Sequence, residues 1–344
     1  MAALSSALPP CMLLEALDGH SSCKAASLTS FEAEGSISEK LPEVSHRLSR
    51  SSTRLGSWAM QSSLSVWTAA DEDTEWEVPD SPHDLEAVVG RVQLLSHSEG
   101  GSLQVQNALD KAPLMDQMLL VQEMHGHALR AMRCPHANRV LQKIISIMPQ
   151  ASLQFIVDEI MQYKGMARKM AMHEYSSSII KKLLERCEES QVGRLIEVLL
   201  QDTPALSCHA YGNFVIQHLL RFGTAQQQYR CLRAIEQNMG RIARSEFGVC
   251  VVTTAMKHAS SHDRVWTARA VLVDPRLLLQ MAQLQDGGKA VLLVLSSLPE
   301  QECAQACRRL VEAADELHAS ECGKQIMADL EASGLDIVDA MGKC

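Results

Sequence analysis

From about residue 88 onward, apolar side chains recur three, four and seven positions apart, in runs that end at glycine, proline or polar clusters. This spacing places the apolar side chains on one face of an α-helix, whereas a half-buried strand would alternate at every second residue. One run ends before Gly165 and another ends before Pro204. The pattern therefore predicts an all-α fold built from a succession of amphipathic helices.

The helical runs contain a short block that returns at a nearly constant distance. Its clearest copies are YGNFVIQ at residues 211–217 and HANRVLQ at residues 136–142, and weaker copies lie at residues 175–181 and 247–253. We call the residue that follows the small residue of each block the anchor, and the same register adds three degenerate copies. The seven anchors are separated by 36, 39, 36, 36, 39 and 36 residues and are Ser102, Asn138, Ser177, Asn213, Val249, Gly288 and Lys324.

A fixed period in this range predicts an α-solenoid, in which identical units stack and each contacts mainly its neighbours. Each unit is predicted to hold one amphipathic helix, a short connector and then the helix that carries the anchor. Terminal units of such an array are expected to be atypical, because they cap the core.

The first part of the chain lacks this periodicity. Sixteen of the first 65 residues are serine, and an acidic run follows at residues 71–75. Such a composition buries too little apolar surface to offset the entropy of the chain. We therefore expect residues 1–87 to form a disordered leader and residues 88–344 to form the repeat domain. Three tryptophans are unusual in such a leader and are candidate contacts for a partner, namely Trp58, Trp67 and Trp76.

The net charge of −9 is unevenly distributed along the chain. Residues 1–90 contain 5 Lys or Arg and 14 Asp or Glu, whereas the remainder contains 27 of each kind. The repeat region is therefore neutral, although a nucleic-acid binder usually shows a basic surplus. This balance disfavours strong binding to phosphates without regard to base sequence.

The sequence carries none of the common signals for catalysis, metal binding or membranes. It has no glycine-rich phosphate loop, nucleophile elbow or paired-carboxylate motif, so we expect no enzyme activity and no cofactor. The cysteines and histidines lack the spacing of a tetrahedral zinc site, and the recurrence of His136, His173 and His209 at or just before the start of the block indicates packing or capping. Without an apolar run of membrane length or an apparent signal peptide, we expect a cytoplasmic protein, with the nucleus or nucleolus as alternatives.

The anchor and the residue four positions later share one face of a helix. Asn213 and Gln217 can therefore converge on one flat object, and two amide groups offer the donors and acceptors needed to pair with the edge of a nucleobase. Phe214 follows the anchor and can stack on the face of a base, which contributes about 1–3 kcal/mol per base. Asn138 and Gln142, with Arg139 beside them, offer the same geometry.

These two blocks resemble the base-reading helices of Pumilio, or PUF, repeats. The resemblance covers about residues 88–340 and is most specific in residues 130–255. It implies a right-handed, crescent-shaped solenoid of seven to eight three-helix repeats, in which each repeat reads one base of single-stranded RNA with two or three side chains. The family's readers occupy the anchor, the next residue and the residue four positions after the anchor.

Carried over to this chain, the family's code assigns uracil to two units. In that family, Asn with Gln at the two edge positions reads uracil, and the residue after the anchor stacks on the base. The uracil readers implied here are Asn138 and Gln142 with Arg139, and Asn213 and Gln217 with Phe214.

The other units depart from the code to different degrees. Ser102 with Gln106 implies adenine in that family. Ser177 and Ser178 have no clear base assignment, and Lys181 in the same helix is a candidate contact for phosphate. The last three units lack the polar pair, so four of the seven units are without a recognisable code.

The resemblance implies a monomeric protein that binds single-stranded RNA and regulates mRNA after transcription. Amino-terminal repeats of this family bind the 3′ side of the RNA, so the readable element is U-rich and has the form 5′-U-n-U-A-3′. A second hypothesis stays open, because the neutral charge and the four uncoded units also fit a helical scaffold. That scaffold would bind proteins through the leader or the convex face, or would act in ribosome and rRNA assembly.

Overall fold

The structure, a computed structural model, describes residues 83–332 and the side chains from residue 85 onward. The predicted leader lies outside the described residues except for its last five positions, which belong to the first helix. Within residues 83–332 the chain forms twenty-one α-helices and one short 3₁₀-helix at Gln150–Leu153, and no strand. The all-α prediction is confirmed.

The helices fall into seven consecutive units of three. In chain order they are α1 His83–Val88, α2 Val92–Ser96, α3 Glu99–Lys111, α4 Leu114–Gln122, α5 Ala128–Met132, α6 Pro135–Ile147, α7 Gln154–Gln162, α8 Met166–Ala171, α9 Ser176–Arg186, α10 Glu189–Gln201, α11 Thr203–Ser207, α12 Gly212–Phe222, α13 Ala225–Gln237, α14 Met239–Ile242, α15 Glu246–His258, α16 Ser261–Leu272, α17 Leu277–Ala282, α18 Gly287–Ser297, α19 Glu300–Glu312, α20 Ala314–His318 and α21 Glu321–Ala332.

Each of the seven anchors lies near the start of the third helix of its unit, as the register predicts. The predicted connector differs, because it forms a helix of four to six residues in every unit. In α5, for example, Ala128, Ala131 and Met132 are buried. A single helical turn contains too few residues for an apolar period to be recognised, which explains why this helix was predicted as a connector.

The units stack into two layers. The anchor-bearing helices, which we call the anchor layer, contact one another in sequence from α3 to α21. On the opposite side the first helices of the units form the outer layer, in which α7, α10, α13 and α16 contact one another in turn. Apolar side chains of both layers meet in a continuous core, as shown by Ile144, Leu195 and Leu219. This arrangement confirms the predicted α-solenoid.

The small residue before each anchor has a structural cause. A Cβ atom at Gly248 would lie 2.0 Å from the carbonyl oxygen of Ile242 in the preceding short helix, and a Cβ atom at Gly323 would lie 2.1 Å from that of Leu317. Real Cβ atoms do not approach backbone oxygens so closely, so the short helix and the anchor helix touch through backbone. This close approach accounts for the glycine found at this position in five of the seven blocks, while Ala137 and Ser176 occupy it in α6 and α9.

Acidic side chains of the outer layer join successive units. The carboxylate of Glu159 accepts hydrogen bonds from the backbone N–H groups of Gly126 (2.7 Å) and Ala128 (2.8 Å) at the start of α5. Glu123 accepts equivalent bonds at the start of α2. A carboxylate at a helix N-terminus satisfies donors that the helix leaves unpaired. Each of these glutamates therefore caps the short helix of the preceding unit.

Candidate nucleic-acid interface

Helix α12 shows how the anchor face is built. Asn213 is only 2% exposed, and its amide nitrogen donates to the carbonyl oxygens of His209 and Ala210, both at 2.8 Å. Its amide oxygen accepts a hydrogen bond from the Nε2 group of Gln217 at 2.8 Å. Asn213 therefore ties the start of the helix to the preceding turn and orients Gln217, whose half-buried amide is the more accessible of the pair.

Helix α6 repeats this arrangement. Asn138 is 3% exposed, and its amide nitrogen donates to the carbonyl oxygens of Met132 (3.2 Å) and Tyr175 (3.0 Å). The Nε2 group of Gln142 donates to the amide oxygen of Asn138 at 2.6 Å. The sequence places both amides on one face, but the structure buries the asparagine and leaves the glutamine half-buried. Arg139 between them is exposed on the same helix.

The two serine anchors are also buried. Ser102 in α3 donates its hydroxyl to the carbonyl oxygen of Glu99, and Gln106 donates to the carbonyl oxygen of Ser102. In α9, Ser177 is buried. Ser178 donates to the carbonyl oxygen of Tyr175 at 2.7 Å and accepts a bond from Gln142 of the neighbouring unit at 3.3 Å. Position anchor plus one therefore reaches the adjacent unit, as its rotation about the helix predicts.

Phe214, the residue in the stacking position of α12, is already in contact with a cation. The ammonium group of Lys181 lies 5.8 Å from the ring centroid of Phe214, which is within the range of a cation–π contact. Burial lowers the pKa of Lys181, and the nearby Arg221 and Lys182 lower it further, while Glu185 opposes them. Since Lys181 covers part of the ring, a base that stacks on that face of Phe214 must displace the ammonium group.

One residue that sequence reasoning missed completes this face. Thr254 of α15 donates its hydroxyl to the amide oxygen of Gln217 at 2.9 Å and thereby connects the fourth and fifth units. It lies five positions after the anchor Val249, and the buried Val249 offers no polar group of its own. The only sign of this contact in the sequence is a pair of adjacent hydroxyl side chains, Thr253 and Thr254. Thr253 does not reach Gln217 and donates to the carbonyl oxygen of Val249.

The last two units present a different surface. Gly288 and the largely buried Leu292 occupy the reading positions of α18, and Ala328 occupies the second position of α21. The ammonium group of Lys324, the last anchor, pairs with Glu321 at 2.7 Å. These units keep the fold of the array without side chains that can pair with the edge of a base.

Two of the three recurring histidines, His173 and His209, have the capping role that their position predicts. The Nδ1 atom of His209 accepts hydrogen bonds from the backbone N–H groups of Tyr211 (3.2 Å) and Gly212 (3.4 Å). In the preceding unit, the Nδ1 atom of His173 accepts a bond from Tyr175 at 3.3 Å. Burial lowers the pKa of both histidines, which keeps the ring nitrogen free to accept.

Charge is segregated between the two layers, although the repeat region is neutral as a whole. The outer helices of units two to five, α4, α7, α10 and α13, carry six acidic and three basic residues. The anchor helices of the same units, α6, α9, α12 and α15, carry only two acidic residues, Glu185 and Glu246. Their seven basic residues are Arg139, Lys143, Lys181, Lys182, Arg186, Arg221 and Lys257.

His218 lies buried among these charges on α12. Burial, together with the positive charges of Lys181 and Arg221, lowers the pKa of His218 to about 4. The carboxylate of Glu185, 3.6 Å from its Nδ1 atom, favours the protonated form but does not outweigh them. His218 is therefore neutral at physiological pH, and acid titrates a buried group at the centre of the basic face.

This shift predicts a pH-dependent stability. An unfolded histidine binds its proton near pH 6.5, whereas folded His218 binds it only near pH 4, so stability is lost as the pH falls through this window. His218→Gln should remove about 3 kcal/mol of the loss in the free energy of unfolding between pH 7 and pH 4. Urea unfolding at several pH values measures this difference. If the variant lost as much of its free energy of unfolding between pH 7 and pH 4 as the unchanged protein, His218 would not be the group that causes the loss.

The two cysteines of α19 lie together in the core. Cys303 and Cys307 are buried on one face of the helix, and the hydrogen bond between them, together with burial, raises the pKa of the Cys307 thiol. Across residues 83–332, no three His, Cys, Asp or Glu side chains converge as metal ligands. The two thiols therefore act as core residues of the seventh unit.

A family model matches the centre of this face. The model of the Pumilio-family RNA binding repeat matches residues 132–161, 168–200 and 204–236. Each match includes one anchor helix, namely α6, α9 and α12 in turn, together with the outer helix that follows it. Residues 132–236 therefore contain three matches to the Pumilio repeat. The first and third matches contain α6 and α12, in which the predicted code is best preserved. The second match contains α9, which lies between these two coded helices.

The curated relatives of the chain are distant. It is 22% identical to Pumilio homolog 11 of Arabidopsis thaliana over 180 residues, which is 51% of this chain and 32% of that protein. It is 26% identical to Pumilio homolog 3 of Danio rerio over 176 residues, which is 49% of this chain and 27% of that protein. The chain thus spans about a third of the length of the curated relatives it matches.

Solved structures share its fold. The crystal structure of PUF-8 in complex with PBE-RNA aligns with a TM-score of 0.64 at 20% identity, over 72% of this chain and 73% of that chain. The Puf3 RNA binding domain bound to the Cox17 RNA 3′ UTR recognition sequence site B aligns with a TM-score of 0.61 at 18% identity, over 71% and 74%. These likenesses establish the solenoid fold. Within residues 83–332, each helix is either too short or too polar to span a membrane.

Proposed function

We propose that this protein binds single-stranded RNA along its anchor layer and regulates mRNA after transcription. The observation that carries the proposal is the pair of Asn–Gln bridges in α6 and α12, which present oriented glutamine amides on a face with a basic surplus. Binding is stoichiometric and involves no catalysis. A monomer acting in the cytoplasm, where mRNA is translated, completes the proposal.

The glutamine amides are suited to the edge of a base. Gln217 uses one Nε2 proton for Asn213 and accepts from Thr254, which leaves a second Nε2 proton and one lone pair of its oxygen. Gln142 offers its carbonyl oxygen alone, because its Nε2 group donates to both Asn138 and Ser178. In Gln217, one donor and one acceptor side by side complement the imide edge of uracil, which carries a donor between two acceptors. If the buried asparagine of the same helix moved its amide toward the base, that amide would add a second contact to the base edge.

The repeat region has no net charge, but the separation of charge between its two layers still gives the anchor layer a basic surplus. The seven basic residues of α6, α9, α12 and α15 lie in the layer that carries the glutamines, whereas the acidic residues lie mainly in the outer layer. A positive surface attracts the phosphate backbone and makes binding dependent on salt. The surplus is modest, so we expect base contacts to contribute a large share of the affinity.

The proposed element is U-rich and reads 5′-U-n-U-A-3′, from Asn213, through Ser177 and Asn138, to Ser102. Fluorescence anisotropy with labelled octamers tests this directly, using 5′-CCUAUACC-3′ and the control 5′-CCCACACC-3′. Each correct base contact contributes about 1–3 kcal/mol of discrimination, so the two uracils should give at least a roughly tenfold difference in Kd. Equal affinity for the two octamers would refute base reading by these units.

A second candidate function rests on the four units without a code, which keep the solenoid but lack readers. In that case the array binds a protein, or acts in ribosome and rRNA assembly, through its outer layer. Affinity purification with and without RNase separates the two functions. Protein partners that persist after RNase, from a chain that shows no measurable affinity for the octamers, would favour the scaffold.

A further inference from the structure

The third unit, between the two units with an Asn–Gln pair, leaves its contact with a base to one side chain. Its anchor, Ser177, is 5% exposed and donates its hydroxyl to a backbone carbonyl oxygen at 3.4 Å. Ser178 is engaged by the carbonyl oxygen of Tyr175 and by Gln142 of the neighbouring unit. Lys181, four positions after the anchor, is half-buried. Any contact between α9 and the edge of a base therefore falls to Lys181.

The ammonium group of Lys181 has donors to spare. Across residues 83–332 it forms no hydrogen bond and no ion pair, and the contact that it does make is with the ring of Phe214, 5.8 Å from the centroid. The carboxylate of Glu185, one turn along the same helix, lies instead 3.6 Å from the Nδ1 atom of His218. An ammonium group carries three N–H donors and no acceptor. It is therefore suited to a ligand that supplies acceptor atoms.

The ring of Phe214 and the ammonium group of Lys181 can act on the same base. A base that enters between α9 and α12 can take the place of the ammonium group on the ring, and the ring accepts each base because each has a π face. The lysine side chain has a flexible stem of four carbons, so the displaced ammonium group can follow the base and donate to its edge. The ring thus contributes affinity for any base, and the ammonium group contributes the choice among them.

The edge of the base that faces Lys181 follows from the proposed function, on which this inference rests. There, Gln142 and Gln217, which occupy the equivalent positions of α6 and α12, read uracil through its imide edge, which is the Watson–Crick edge. Stacked units repeat one geometry, so the base between the two uracils presents the same edge to Lys181. On that edge cytosine has two adjacent acceptors, N3 and O2. Uracil has a donor between two acceptors, adenine has one acceptor beside an amino donor, and guanine has two adjacent donors.

We propose that Lys181 makes the third unit a reader of cytosine, so that the RNA element becomes 5′-U-C-U-A-3′. A cation that only donates complements the two adjacent acceptors of cytosine, meets a single suitable acceptor in uracil or adenine, and is repelled by the two donors of guanine. Specificity is a difference between affinities, so the repulsion of guanine contributes to it as much as the attraction of cytosine.

Fluorescence anisotropy of the full chain with the four octamers of the form 5′-CCUNUACC-3′ tests this choice. We expect the octamer with cytosine at N to bind about tenfold more tightly than those with adenine or uracil, and the octamer with guanine to bind most weakly. Lys181→Met keeps an unbranched side chain without N–H donors, so the four octamers should then bind within about threefold of one another. Lys181→Glu replaces donors by acceptors and should make guanine the preferred base.

Lys182→Met is the matched control, because it removes the adjacent half-buried ammonium group from the same helix. This variant should weaken the binding of all four octamers alike and should keep cytosine as the preferred base. The preference compares octamers on one preparation, so a partial loss of folded protein in a variant does not change it.

Three results would overturn the proposal and leave the proposed function intact, provided that the chain still prefers 5′-CCUAUACC-3′ to 5′-CCCACACC-3′. Tightest binding of an octamer with another base at N would show that the third unit does not select cytosine. A cytosine preference that persists in Lys181→Met would assign the reading to another residue. Equal affinity for the four octamers, with a slope of log Kd against log salt that falls by about one in Lys181→Met, would place the ammonium group on a phosphate. A chain that does not distinguish 5′-CCUAUACC-3′ from 5′-CCCACACC-3′ would refute the proposed function and this inference with it.

Discussion

Asn213→Ala should destabilise the protein, whereas Gln217→Ala should leave its stability nearly unchanged and weaken its binding to uridine-containing RNA. The two residues occupy equivalent reading positions in the sequence, yet the structure gives them different environments. Asn213 is buried and bridges two backbone carbonyl oxygens, while Gln217 is half-buried at the surface of the anchor layer. Stability and affinity should therefore separate between the two variants.

The cost of losing Asn213 follows from its hydrogen bonds. Its amide nitrogen is a donor to His209 and Ala210, and the backbone N–H of the same residue also donates to the carbonyl oxygen of His209. Removing the amide leaves the carbonyl of Ala210 without this donor and opens a small cavity, which costs about 2–3 kcal/mol. For a domain of this size we expect Tm to fall by about 4–10 °C.

The cost of losing Gln217 falls mainly on RNA binding. Thr254, its partner, also donates to the carbonyl oxygen of Cys250 at 3.0 Å and so keeps an acceptor in the variant. We expect a change in the free energy of unfolding below about 1 kcal/mol. Loss of one base contact should raise the Kd for 5′-CCUAUACC-3′ about tenfold, and the double variant with Gln142→Ala should lose more.

Differential scanning fluorimetry and anisotropy on the same preparations measure both effects. Gln228→Ala is the matched control, because it removes a half-buried glutamine from the outer helix α13. This control should alter neither Tm nor Kd. If Gln217→Ala binds both octamers as tightly as the unchanged protein, the glutamines do not read the RNA. If Asn213→Ala leaves Tm unchanged, the bridge that we assign to its amide does not stabilise the helix.

Periodicity predicted the architecture well because stacked units repeat one environment. The stripe formed by Val215, Ile216, Leu219 and Leu220 returns as four apolar residues in every anchor helix from α6 to α18, since each helix packs on the next in the same way. In the two terminal anchor helices one of the four positions is polar, Gln104 in α3 and Glu331 in α21. The apolar period did not predict the short helices, because four to six residues are too few to show it. The period therefore locates the seven anchor helices, whereas the third helix of each repeat was implied only by the family resemblance.

The sequence predicted which candidate readers share one face of a helix, but it did not predict how deeply each of them is buried. Spacing places Asn138 and Gln142 on one face, yet it does not show that the carbonyl oxygen of Tyr175, from the next unit, approaches the asparagine. Thr254 was missed for the same reason, since its partner Gln217 belongs to another unit. Likewise, the net charge of the repeat region concealed the basic face, because acidic and basic residues are separated between layers only once the chain folds.

Gly101→Ala should destabilise the protein by about 2–3 kcal/mol, although Gly100→Ala, one residue earlier on the same helix, should stabilise it by about 0.5–1 kcal/mol. A Cβ atom at Gly101 would lie 2.3 Å from the carbonyl oxygen of Leu95 and 2.6 Å from the hydroxyl of Ser98. A Cβ atom at Gly100 would meet no atom within 4 Å. The same substitution therefore probes helix propensity at one position and backbone contact at the next.

The reason for the opposite signs lies in which atoms can move. The carbonyl of Leu95 belongs to α2, so relief of the clash requires the short helix to shift away from the anchor helix and to carry its buried Val92 with it. The same change at Gly248, where the Cβ atom would lie 2.0 Å from the carbonyl oxygen of Ile242, should destabilise the protein at least as much. Urea unfolding of the three variants measures these differences. A stabilising effect at Gly101 would show that the short helix yields freely, and the small residue before each anchor would then need another explanation.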